Sequence, residues 1–152
     1  MKYLRGCVVD QINIADDFYE AYKRCLMSNQ NNKIVAVPAF ANGLFACELY
    51  FKYLINDKVK ELKKNERHNL SKLYALLDED IKNEIESVKS NSIYAFEQQL
   101  NKIEDGFIIW RYCFEDDNED FCDKYPFLIT DSFLNTYLSE IQKIAHRFYD
   151  KQ

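Results

Sequence analysis

The stretch SIYAFEQQLNKIEDGFIIWRYCFE, residues 92–115, decides the reading of the fold. Within it Ile93, Phe96, Leu100, Ile103, Phe107, Trp110 and Phe114 recur at alternating spacings of three and four. That rhythm predicts one helix of about 24 residues, roughly 36 Å long at 1.5 Å per residue, with an unbroken apolar seam against partner helices. Gly106 lies inside it at a cost of about 1 kcal/mol relative to alanine, which close packing of another helix would offset.

The same 3.6-residue period extends outward. Ile14, Phe18, Tyr22 and Cys25 predict a first amphipathic helix over residues 11–28, with Asp10 or Asp16 as its cap. The polar run SNQNNK follows it, and Pro38 marks the start of a second helix, PAFANGLFACELYFKYLI. This segment is apolar on nearly every side and is therefore expected at the centre, with Gly43 admitting a neighbouring backbone. Leu70, Leu73, Tyr74 and Leu77 predict a shorter helix, and Asp78 caps a further turn or two carrying Ile81, Ile85 and Val88 before SNS at 90–92 interrupts the chain. Pro126 closes the acidic run EDDNEDFCDKYP, and Thr130 or Asp131 caps a last helix bearing Leu134, Tyr137, Leu138, Ile141, Ile144 and Phe148. The expected architecture is all-α: a four- to five-helix up-down bundle in a single domain over residues 1–152.

Composition agrees. Three glycines and two prolines in 152 residues leave little turn material for an all-β fold. No apolar run reaches the length of a membrane span, and MKYLRGCVVD lacks the features of a signal peptide, so a cytoplasmic protein is expected. Five scattered cysteines without a C-x-x-C pair argue against a disulfide framework and against zinc, and no cofactor is expected. A net charge of -5 disfavours non-specific binding to polyanions. The basic residues Lys58, Lys60, Lys63, Lys64 and Arg67 are interrupted by Glu61 and Glu66 and are read as a solvated segment. No Walker loop, G-x-G-x-x-G, G-x-S-x-G or H-E-x-x-H motif is present.

The residues with chemical potential are few. Arg111 lies one position off the 92–115 seam, flanked along its face by Glu104 and Glu115, which suits an ion pair beside Trp110. Glu48 and Lys52 stand four apart on the apolar second helix, the favourable order for an ion pair, and a charge there needs a partner such as His68 or Arg111. Only His68 and His146 offer an imidazole. His68 opens HNLSKL, where it caps the helix or bonds a carboxylate, and His146 sits near the end of the last helix, where the helix dipole favours it.

Three segments in order, ACELYFKYLI, RHNLSKLYALL and FIIWRYCFE, resemble the HEPN superfamily over about residues 36–148. The matching features are the A-x-E-L-x-x-K helix with Glu48 and Lys52, the H-D-L helix start with His68 and with Asn69 in place of aspartate, and the F-x-x-W-R-Y-x-x-E segment with Arg111 and Glu115. The resemblance implies a four- or five-helix bundle, often dimeric, from toxin–antitoxin, phage-defence and RNA-processing systems. It also implies, for active members, a metal-independent ribonuclease site in which an arginine and a histidine a few residues further on act across the dimer. Here Arg111 is followed by Tyr112, Cys113, Phe114, Glu115, Asp116, Asp117 and Asn118, with no histidine in range. The expectation is therefore a non-catalytic HEPN-like module, binding as a homodimer or to a toxin or nucleotidyltransferase partner, with RNA as a further ligand and no membrane. The alternative is a non-standard ribonuclease or nucleotide-handling enzyme using Arg111 with His68, Glu48 and Lys52.

Overall fold

The computed structural model describes residues 8–27, 36–112 and 127–150, with side chains described for all of these except 8–10, 109, 111 and 112. Every regular element among the described residues is helical. In chain order they are α1 (Val8–Met27), α2 (Ala36–Ile55), two 3-10 turns (Asn56–Glu61 and Lys64–Glu66), α3 (Leu70–Ala75), α4 (Glu79–Glu86), α5 (Phe96–Ile103), α6 (Gly106–Tyr112) and α7 (Phe127–Tyr149). No helix among the described residues is long and apolar enough to cross a membrane.

α2 is the hub, as its all-round apolar sequence predicts. It packs on α1, α3, α6 and α7, and Phe40, Leu44, Cys47, Tyr50 and Phe51 are sealed from solvent. Pro38 falls within its first turn, where a missing N–H costs nothing because the first four amides have no intrahelical acceptor. Gly43 meets side chains rather than a backbone: a Cβ there would lie 2.7 Å from Leu134 Cδ1 and 3.0 Å from Tyr22 Cδ2. Burial of Cys47 pushes its thiol well above the usual cysteine range, so it behaves as a small apolar filler.

The 92–115 seam is not one helix. α5 ends at Ile103, residues 104–105 form a turn, and α6 begins at Gly106. The Glu104 carbonyl accepts the Leu70 N–H at 2.8 Å, so α3's first amide is satisfied by the turn between α5 and α6. Gly106 presses on the buried Leu44, and a Cβ built there would overlap its Cδ1. The seam nevertheless stays apolar across the break, with Phe96, Leu100, Ile103 and Trp110 buried. Ile93 drops out: it precedes α5 and is 91% exposed. Phe114 lies outside the described residues.

Two further expectations shift in register. The buried face of α1 is Ile12, Ala15 and Tyr22, whereas Ile14 is exposed and Phe18 and Cys25 are half-buried. The last helix starts before Thr130 and Asp131, so neither caps it; Thr130 is buried within α7 and its hydroxyl accepts the Trp110 indole N–H at 3.3 Å. Asp78 precedes α4 as expected but makes no side-chain cap bond, pairing instead with Lys58 at 2.6 Å. Asn69, by contrast, caps α3 by accepting the Lys72 N–H at 3.0 Å.

Candidate functional site

The clearest polar constellation joins the middle of α2 to the start of α3. Glu48 is 0% exposed, and its Oε1 accepts from Lys52 Nζ at 2.6 Å and lies 2.9 Å from His68 Nδ1. Lys52 is 18% exposed and His68 49% exposed, so the cluster grades outward from a sealed carboxylate to an imidazole at the surface. The one-turn separation of Glu48 and Lys52 gives the first bond directly. The second depends on the chain doubling back through the two 3-10 turns, which bring His68 onto the same carboxylate. Among the described residues, Glu48 Oε2 has no hydrogen-bond partner and Glu48 is the only buried carboxylate.

Three of the four residues expected to meet therefore do so. Arg111 belongs to α6, which packs on α2, and its side chain lies outside the described ones. Glu115 lies outside the described residues altogether. With Nδ1 on the carboxylate, His68 directs Nε2 away from it, the arrangement by which a carboxylate orients an imidazole for proton transfer or for donating to an anion.

A second constellation joins α1, α2 and α7. Asp16 Oδ1 accepts from the Tyr50 hydroxyl at 2.5 Å and from Gln142 Nε2 at 2.8 Å, while His146 Nε2 lies 2.9 Å from Oδ2. Partial burial by itself would raise the Asp16 carboxyl; the bonds from Tyr50, Gln142 and His146, with the charge of His146, outweigh it and hold the group below its ordinary value. Tyr50 moves the opposite way, first because it is buried and then because its proton is held by Asp16. Sequence reasoning missed this network, assigning Asp16 to a cap and His146 to the helix dipole. Its only legible trace is that Gln142 and His146 are four apart and so share a face of α7.

An open cavity of about 490 Å³ lies elsewhere, between α3, α4 and α5, lined among others by Tyr74, Glu79, Lys82, Glu86 and Glu97. None of Glu48, Lys52 or His68 reaches it. Among the described residues no group of three metal-ligating side chains converges.

No family model matches the chain, no curated protein matches it, and no solved structure matches its fold.

Proposed function

We propose that this chain is a cytoplasmic HEPN-like helical module that works by binding rather than catalysis. It acts as a homodimer or as the partner of a toxin or nucleotidyltransferase in a bacterial toxin–antitoxin, phage-defence or RNA-related system. The observation that carries this reading is the use made of Glu48: its carboxylate is sealed in the core, and Lys52 and His68 bond to it from α2 and from the start of α3. A group so placed fixes the helix arrangement and presents no carboxylate to a substrate. The absence of a histidine among residues 112–118 points the same way.

The test is direct. Purified protein incubated with single-stranded RNA in chelator is expected to leave it intact, and light scattering on a sizing column is expected to report a dimer or a stable complex with a co-expressed partner. Metal-independent cleavage that Arg111→Ala abolishes would overturn the reading. That outcome would favour the second one, a non-standard ribonuclease or nucleotide-handling enzyme, which draws its support from the half-exposed His68 held by a carboxylate with Nε2 turned outward.

A further inference from the structure

The segment that carries the chain from α2 into α3 is locally basic. From Asp57 to Lys72 stand six basic residues against Asp57, Glu61 and Glu66, in a chain whose net charge is -5. Sequence alone cannot say which of these cations are neutralised locally; the structure does. Lys58 pairs with Asp78, Lys60 with Asp57 and Lys72 with Glu66. Glu66 also accepts the Lys63 backbone N–H, so this acid is fully engaged within the turn. Lys63, Lys64 and Arg67 form no ion pair with a carboxylate among the described residues.

Of these, local geometry brings Lys64 and Arg67 together. Residues Lys64–Glu66 form a 3-10 turn, in which side chains three apart eclipse, and Arg67 follows at its C-terminal cap. Lys64 and Arg67 are such a pair, and Lys63 and Glu66 are the other. Arg67 Nε donates to the Leu62 carbonyl at 3.1 Å, which fixes the stem of the guanidinium and leaves its two terminal nitrogens for another acceptor. His68 comes next in the chain, its ring fixed by the buried Glu48 through Nδ1, its Nε2 turned outward. A charge-bearing fork, an ammonium and an oriented imidazole thus occupy one compact turn, with the fork and the imidazole each fixed by a bond to the fold.

We infer that Lys64, Arg67 and His68 form a binding site for a compact anion carrying two or three phosphoryl groups, such as the tail of a nucleotide or a free oligophosphate. Arg supplies the bidentate donors that phosphate geometry matches, Lys a mobile point charge, and His68 Nε2 a directed donor. The patch is short, and the cations beyond Lys63 on one side and His68 on the other, Lys58, Lys60 and Lys72, are already paired with acids, in a chain that is acidic as a whole. It lacks the continuous basic stripe that tracking an extended polyanion needs. The site depends neither on the family likeness nor on which partner the module binds.

Amide chemical shifts and calorimetry during titration with inorganic tripolyphosphate, ATP and a single-stranded RNA oligonucleotide test the assignment. Saturable binding of tripolyphosphate and ATP is expected, with shifts centred on residues 63–68. The Lys64→Gln/Arg67→Gln double variant should weaken it by about tenfold or more, and the charge-matched control Lys58→Gln/Lys60→Gln by less than about twofold. Lys64→Gln alone, at an exposed position, preserves the test if Arg67→Gln disturbs the turn. Equal weakening by both double variants would reduce the effect to diffuse attraction and overturn the site. So would no binding of either oligophosphate, including the case in which only the RNA binds.

Discussion

Replacing Asp16 by asparagine tests how α1 is tied to the rest of the molecule. The substitution keeps size and shape, removes the charge, and turns an amide N–H₂ toward donors that need acceptors. Tyr50 is fully buried, and its hydroxyl loses an ionised acceptor held at 2.5 Å. A hydrogen bond to a charged group contributes about 1.5–3 kcal/mol. The His146 contact adds less, because Asp16 and His146 are 28% and 42% exposed and solvent screens them. A loss of about 2–3 kcal/mol is expected at pH 7, or about 4–12 °C in Tm for a chain of this size. The pH dependence sharpens the test. The folded Asp16 carboxyl is held below its ordinary value of 3.8, so its contribution is complete above that value and is lost as pH falls through the lower, folded pKa. Urea denaturation of both proteins should show a gap that persists from pH 7 to pH 5 and closes below about pH 4. A gap under about 0.5 kcal/mol at pH 7, or one that is unchanged at pH 3, would refute the assignment of Asp16 as the organising acceptor.

Three further substitutions probe other parts of the fold. Lys52→Met leaves the sealed Glu48 carboxylate with only His68 as partner and is expected to cost about 2–4 kcal/mol by chemical denaturation, whereas a surface ion pair would cost under about 1. Gly106→Ala drives a methyl into Leu44 and should destabilise by about 1–3 kcal/mol despite alanine's better helix propensity; a stabilised variant would contradict the packing at the start of α6. Ile93→Ser should lie within about 0.5 kcal/mol of the parent and Leu100→Ala should cost about 2–5, since only the second residue is buried. A large loss from Ile93→Ser would restore the continuous seam.

The helical class was legible because burial in a helix repeats with its period, and the residues of α2 and of the 96–110 seam carry that repeat without interruption. What the period could not reveal was where the helix breaks. Ile103 and Phe107 stay four apart whether or not a turn intervenes, and the turn is fixed by a distant amide, that of Leu70, together with the press of Leu44 on Gly106. The register of α1 was misjudged for a related reason: Ile12 and Ala15 are a weaker apolar signal than Ile14 and Phe18, yet the small Ala15 is what is sealed from solvent. Among the polar residues, the Glu48–Lys52 bond followed from spacing alone, and the reach to His68 followed from the need of a buried charge for partners. The Asp16 network was hidden because its members are separated by as many as 130 positions and each has an innocuous local explanation.

The bond from the Leu70 amide to the Glu104 carbonyl closes an excursion of the chain, since α3, α4, the link from 87 to 95 and α5 all lie between its two ends. Entropy of loop closure grows only slowly, by about 0.6 kcal/mol for each doubling of loop length. Residues can therefore be added or removed along the far side of that excursion, beyond α4, at little thermodynamic cost, provided the two ends still meet. The helices on either side of it, α2 and α6, would keep their mutual packing. This is the place where chains built on the same plan are free to differ in length, and where an inserted tag or reporter would be tolerated with the core of α1, α2 and α7 intact.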